Sequence, residues 1–416
     1  MNDLNVLHSP TGKFSVLLHN ISGTWKIVEG LHTLSELQPL SLRMGESGFS
    51  KRGYRVITIF LNNKCNLRCD YCRFDQVTHT GIEHGERDLD AVVKSVRALC
   101  LAGEHVDIHF QGGEPLLRLA DIKYVCNELL ASSNHFIPHF HVTTNGTIAT
   151  EDALSILEDY GISITLSIDG LPELHDRHRP FANGKGSFAK VLSTLQLLQN
   201  RGIPFGVFCV VADPKRMRDM HEYLVNVLGV TSFVLAPLEI DGMGTPDELD
   251  LYLESFFEAQ LELLERNLDR FATDGFRIRE YLGELLLLGK VSPSFYSKAC
   301  GDSPRSTCGE RMHSIERNGE IRPCQNSRMV FNEGPEYIEG CLTRKGICDT
   351  CEIRRHCSTP ICFSRLSPTL VRNFVAEDAG ARNYVNVACT HLKKRELALF
   401  DLIYRRKQDV LNYLMQ

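Results

Sequence analysis

Three cysteines fall within eight residues in the stretch Cys65-Asn66-Leu67-Arg68-Cys69-Asp70-Tyr71-Cys72. A loop of this kind can wrap three thiolates around one corner of a metal cluster, and the count of three is informative. A cubane of four irons takes four ligands, so three cysteines leave one iron open to bind something else. A structural zinc ion would instead need a fourth Cys or His to close its tetrahedron. His79 and His84 are candidates for that position, although the spacing is not that of a zinc finger. Ligand count favours the open cluster, with zinc as the alternative.

The elements that must hold this loop can be read on either side of it. Residues 55–61 form an apolar, β-branched run that reads as a buried strand leading straight into Cys65. From there strands and helices alternate, which is the pattern of a parallel α/β barrel. Further strands are expected over residues 106–110, 140–144, 162–168, 205–211 and 232–237. Six strands suggest a partial (β/α)6 TIM-type barrel over residues 51–240, open on one side and able to admit a polypeptide. Polar groups follow several strands, as ligand groups at a barrel mouth should. Gln111-Gly112-Gly113-Glu114-Pro115 offers paired glycines for close backbone approach and a carboxylate that can accept from an ammonium. Ser167-Ile168-Asp169-Gly170 ends the fourth strand. Cys100, Cys126 and Cys209 lie on apolar faces and read as core.

Outside the barrel, residues 1–50 form an extension in which 14–19 and 24–28 can pair as a hairpin, packed as an extra layer on the barrel. Residues 241–299 read as a helical bridge, with Thr245-Pro246-Asp247-Glu248 as its start signal. Its stripe Leu249, Leu253, Phe256, Phe257, Leu261 and Leu264 is core-facing. A C-terminal helix is expected over 393–416.

Between them, residues 300–392 carry eight cysteines in an ordered set: Cys300, Cys308, Cys324, Cys348, Cys351, Cys357, Cys362 and Cys389. Eight is two full sets of four, enough to close two cubanes with no open iron. Asn318-Gly319 has the look of a hairpin turn leading to Cys324, and Cys341 is left over.

Composition narrows the class. The 416 residues are 43% hydrophobic and 24% charged, as in an ordinary globular protein long enough for two or three domains. A net charge of −6 gives no electrostatic case for nucleic acid as a partner. No apolar run approaches the roughly 20 residues needed to span a bilayer, so no membrane is expected. Fifteen cysteines without a recognisable export signal argue for metal ligation in a reducing compartment, hence a cytoplasmic protein.

Cys-x3-Cys-x2-Cys after a first strand, followed about 40 residues on by Gly-Gly-Glu, resembles the radical S-adenosylmethionine superfamily. The later cysteines resemble its C-terminal SPASM auxiliary-cluster domain, built of a short β-hairpin and helices. The resemblance implies three 4Fe–4S clusters and S-adenosylmethionine. Cys65, Cys69 and Cys72 hold the open cluster, whose electron cleaves S-adenosylmethionine to give a hydrogen-abstracting 5′-deoxyadenosyl radical. Cys300, Cys308, Cys324 and Cys362 hold one auxiliary cluster, with a four-residue gap before Cys362 where three is usual. Cys348, Cys351, Cys357 and Cys389 hold the other.

By the same resemblance Gly112, Gly113 and Glu114 bind the methionine amino group, while Ser167 and Asp169 contact the ribose. Tyr71 is a further cofactor contact. The run His175-Asp176-Arg177-His178-Arg179 with Gly184-Lys185-Gly186-Ser187-Phe188 is similar to that of sulfatase and peptide maturases. It makes Arg179 the partner of the S-adenosylmethionine carboxylate, a task suited to a guanidinium. The implied partners are a ribosomally made precursor peptide and an electron donor such as flavodoxin or ferredoxin. Sulfatase maturases carry an Asp proposed as general base after the cysteine matching Cys324. Here Gln325 stands there and cannot take a proton. A peptide maturase forming carbon–carbon or thioether links is therefore expected ahead of a sulfatase maturase, unless Glu239, Asp241 or a histidine substitutes. The reading of another class is a non-catalytic iron–sulfur scaffold.

Overall fold

The computed structural model describes residues 4–19, 25–33, 54–72, 86–132, 134–238, 245–291, 312–322, 351 and 378–415. Cys300, Cys308, Cys324, Gln325, Cys341, Cys348, Cys357 and Cys362 lie outside these residues, as do His79, His84, Glu239 and Asp241. Strands β1 (Leu4–His8), β2 (Phe14–His19) and β3 (Trp25–Glu29) form an antiparallel meander in that order. Then β4 (Tyr54–Phe60) opens an alternation of strands and helices. It runs through α1 (Leu89–Leu99), β5 (His105–Gln111), α2 (Leu119–Leu130), β6 (Ile137–Thr144), α3 (Glu151–Asp159) and β7 (Ser163–Ser167). It continues with α4 (Pro172–His178), α5 (Phe188–Arg201), β8 (Phe205–Val211), α6 (Met217–Glu222) and β9 (Ser232–Pro237). Neighbouring strands from β4 to β9 all pair in parallel, so the fold is mixed α/β on a parallel sheet.

Strand alternation explains the layering. Val106, Ile108 and Phe110 are fully buried in one core with Val92, Val93 and Val96 of α1 and Ile122, Val125 and Leu129 of α2. The intervening residues of β5 point to the opposite face of the sheet. Cys100, Cys126 and Cys209 are buried in this core, as their apolar flanks indicated.

After β9 comes α7 (Pro246–Asp274), begun by a capping box in which Thr245 and Glu248 each bond the other's backbone N–H. The short β10 (Arg279–Glu280) pairs in parallel with β9, and α8 (Tyr281–Val291) follows. Strands β11 (Met312–Glu316) and β12 (Ile321–Arg322) do form a hairpin, but β11 pairs in parallel with β4. Those residues therefore extend the main sheet, and its order becomes β10-β9-β8-β7-β6-β5-β4-β11-β12.

The final helix, α9 (Ala379–Met415), starts well before residue 393 and contains Cys389. Its residues Tyr384, Val385, Ala388 and Leu392 enter the main core, while Leu399, Leu402 and Ile403 join Leu264 and Leu268 of α7. In the N-terminal sheet Leu7, Phe14, Val16 and Leu18 pack on Phe400, Leu397 and Tyr404 of α9. Among the described residues no helix is long and apolar enough to cross a membrane.

Candidate active site

The C-terminal ends of the parallel strands carry the site. Residues 61–72 leave β4 and are tied down from two sides. On one side Arg68 N–H donates to Pro180 O (2.8 Å), Asp70 N–H to His178 O (3.2 Å), and Ala182 N–H to Asn66 O (3.2 Å). The Asp70 carboxylate also meets His178 Nδ1 at 2.8 Å. On the other side Asn145, just beyond β6, donates to Asn66 Oδ1 (2.9 Å) and towards Cys65 Sγ (3.7 Å). Asn66 in turn donates to Thr147 Oγ1 at 2.7 Å. No local pattern in the sequence marked Asn145; only its position after a strand hinted at a role.

Cys65, Cys69 and Cys72 are all half-buried on this loop. Burial pushes the Cys69 thiol up to about 12, against the pull of Arg179, and Cys72 and Cys65 add to the rise. The Cys65 thiol is raised too, again by burial first. A metal cluster held by the three cysteines would supply the charge that stabilises their thiolates.

The two glycines after β5 serve this loop. A Cβ on Gly113 would stand 2.1 Å from Lys64 O, and one on Gly112 would stand 2.4 Å from Asn62 O. In their absence Gly113 N–H reaches Asn62 O (3.0 Å) and Glu114 N–H reaches Lys64 O (2.8 Å). The close approach is thus to the chain entering Cys65. Glu114 is placed differently from the expectation of a free acceptor. Its carboxylate is 1% exposed and accepts from Thr144 Oγ1 (2.6 Å), Asn145 N–H (2.8 Å) and Leu116 N–H (3.0 Å). Burial raises it to about 7 despite these bonds. Glu114 locks the ends of β5 and β6 together.

Asp169 and Arg179 are brought together, both buried. Asp169 Oδ1 accepts from Val210 N–H (2.9 Å), and Oδ2 from Arg179 Nε (2.9 Å) and the Tyr71 hydroxyl. Both oxygens of Asp169 have partners, and one of them orients Arg179. Asp169 engages only the Nε edge. The terminal amino groups of Arg179 make no other hydrogen bond or ion pair among the described residues. The guanidinium stands 5.3 Å from the Tyr71 ring centroid and within electrostatic reach of Cys69. Ser167 ends β7 and is buried.

The motif around His175 turns out to be the frame behind that pair. Asp169 N–H donates to His175 Nδ1 at 3.2 Å, which leaves the proton on Nε2 for Ser187 Oγ at 3.0 Å. The Ser187 hydroxyl donates to Arg179 O at 2.6 Å, closing a relay from one member of the ion pair to the other. Asp176 accepts from Phe188 N–H at 2.7 Å, and a Cβ on Gly186 would lie 2.2 Å from its carboxylate. Of the expected auxiliary ligands, Cys351 packs with the apolar group between the N-terminal sheet and α9, and Cys389 lies on α9 against the main core.

A parallel sheet with three thiols and a buried arginine at its C-terminal edge defines a class, and comparison with known proteins agrees. The model of the radical SAM superfamily matches residues 59–225. A cysteine-type anaerobic sulfatase-maturating enzyme of Clostridium novyi is 32% identical over 303 residues, 68% of this chain and 75% of that protein. The chain belongs to the radical S-adenosylmethionine superfamily and is an enzyme of that group. It is also 28% identical over 186 residues to the subtilosin biosynthesis protein AlbA of Bacillus subtilis, spanning 42% of this chain and 38% of AlbA. It spans 58% of the uncharacterized Methanocaldococcus jannaschii protein MJ0907, at 29% identity. The solved structure of native anSMEcpe with bound AdoMet and Kp18Cys peptide superposes with a TM-score of 0.61 at 21% identity, over 87% of this chain and 99% of that one. At that identity the likeness is one of fold.

Proposed function

We propose that the chain is a maturase that modifies a ribosomally made precursor peptide, joining side chains through a carbon–carbon or thioether bond. The observation that carries this is the unused edge of Arg179, held buried within electrostatic reach of Cys69. A planar carboxylate fits that edge bidentately, and S-adenosylmethionine has one. Cys65, Cys69 and Cys72 would hold a 4Fe–4S cluster with one open iron. When bound, that cluster supplies reductive cleavage of S-adenosylmethionine and so hydrogen-atom abstraction from the peptide. The chain's own part is to orient. Asp169 and the His175–Ser187 relay fix the arginine, and Gly112 and Gly113 admit the loop to the sheet. A non-catalytic scaffold has no use for a buried guanidinium aimed beside a three-thiol loop.

A peptide substrate is supported by AlbA, whose name ties it to a bacteriocin, and by the peptide held in the solved relative. Sulfatase maturation is the second reading, favoured by the identity to the Clostridium novyi enzyme. Against it stands Gln325, where an acidic base would be needed. Residues 300–392 are proposed to form a SPASM domain with two auxiliary clusters, reduced through a flavodoxin- or ferredoxin-like donor.

Anaerobic reconstitution tests the scheme. About twelve irons per chain should fall to about eight in a Cys65/Cys69/Cys72→Ala variant, by ligand count. Cys69→Ala should abolish 5′-deoxyadenosine formation, whereas Cys351→Ala should retain it and lose peptide modification. Cleavage by the Cys69 variant would sink the first assignment, and unchanged product from the Cys351 variant the second.

A further inference from the structure

The face of β5 and β6 turned away from the helices carries a second set of ligand-type side chains. Its residues are His105, Asp107 and His109 on β5 and His139 and His141 on β6, and His109 and His141 are direct cross-strand neighbours. One ligand atom from each of Asp107, His109 and His141 lies within 4.8 Å of the other two. The His109 and His141 rings stack with centroids 4.5 Å apart. His141 Nε2 is buried without a hydrogen-bond partner, and it faces Asp107 Oδ1 across 3.6 Å. That gap is too long for a hydrogen bond. It is close to the about 3.4 Å expected between two ligand atoms that share a tetrahedral ion at about 2.1 Å each.

We propose that Asp107, His109 and His141 bind a divalent transition-metal ion of the zinc class. Two imidazoles and one carboxylate are a donor set for zinc or iron(II), and three protein ligands leave further positions open. Asp107 is 7% exposed, so its carboxylate has lost most of its water and gains most from a cation. His105 and His139 are exposed at the outer end of the same face, Nδ1 to Nε2 at 2.9 Å, and extend the row of imidazoles to solvent. His109 is two residues before Gln111, about 7 Å along the strand from the end that carries the cysteine loop. The ion would lie beneath the candidate active site and be separate from its thiols.

Zinc X-ray absorption on the cluster-loaded protein, together with metal quantitation, distinguishes this site from zinc on cysteines. Wild-type protein equilibrated with zinc should hold about one ion with a nitrogen and oxygen shell near 2.0–2.1 Å and no sulfur. His109→Gln/His141→Gln should lose that ion while keeping its iron content and circular dichroism. Asp107→Asn is the independent check and should weaken zinc binding at least about tenfold. Absence of a nitrogen and oxygen shell in the wild type, or its persistence in the double variant, overturns the proposal. The readout does not depend on 5′-deoxyadenosine formation, so it fails or stands apart from the proposed function.

Discussion

Replacing His175 by Asn isolates the relay behind Arg179. The imidazole is fully buried and bridges Asp169 N–H to Ser187 Oγ. An Asn side chain can place an oxygen where Nδ1 sits, but it does not reach Ser187. One buried hydroxyl acceptor loses its donor, at a cost of about 1–3 kcal/mol near neutral pH. The pH dependence carries the sharper test. Burial lowers His175 to about 4 from an ordinary value of 6.5. Between these values the unfolded chain binds the extra proton, so stability rises with pH through the window and is lost as pH falls. At pH 5 this residue costs the wild type about 2 kcal/mol relative to pH 7.5, at 1.36 kcal/mol per unit. The amide that replaces the imidazole does not titrate and carries no such penalty. The destabilisation caused by His175→Asn, read from urea unfolding of matched cluster-free protein, should therefore shrink by about 2 kcal/mol from pH 7.5 to pH 5. An equal cost at both values would mean that His175 is not held neutral, and the direction of the relay would be wrong.

Two further outcomes follow from the same geometry. Gly113→Ala forces a methyl group against Lys64 O, so it should cost about 1–3 kcal/mol and lower iron at the first cluster while sparing the auxiliary ones. Glu114, raised by burial to about 7 from 4.5, should show a protonated-carboxyl infrared band that titrates near pH 7 and vanishes in Glu114→Gln. Its stabilising protonation is complete below about pH 4.5 and lost as pH rises through 7, opposite in sign to His175. A band absent at pH 5.5 would refute the buried, protonated state.

Much of the parallel sheet was legible because its strands are short apolar runs bounded by Gly, Pro and Asn, a local signal. What joins its edges was not. Strand β11 pairs with β4 across more than 250 residues, and nothing in Met312–Glu316 names its neighbour. The C-terminal helix begins before residue 393 and carries Cys389, since residues 379–392 keep helical spacing into the main core. Around the site the cysteines were plain from count and spacing. The roles of Glu114 and Asp169 were not, since a carboxylate turned inward onto backbone N–H groups reads like one turned outward to a ligand. The alternation Asp107, His109 and His141 was visible as strand, but only strand register shows that the three converge.

The Asp169–Arg179 pair allows one more argument from energetics. A buried ion pair adds little net stability, because desolvation offsets most of the attraction, yet removing one partner costs about 3–5 kcal/mol by stranding the other charge. Asp169→Asn keeps one oxygen, for either Arg179 Nε or Val210 N–H, turns its amide NH2 towards the other donor, and leaves the guanidinium uncompensated. If a ligand carboxylate occupies the free edge of Arg179, it restores the missing negative charge. S-adenosylmethionine should then protect Asp169→Asn against unfolding more than it protects the wild type, since ligand stabilisation grows with affinity for the folded state. S-adenosylhomocysteine, which keeps the carboxylate, should give the same excess protection, and 5′-deoxyadenosine, which lacks it, should give none. The comparison separates electrostatic capture from simple loss of structure, which would reduce protection by all three. Equal or smaller protection of the variant by the two carboxylate ligands would remove the carboxylate from Arg179, and with it the observation on which the proposed function rests.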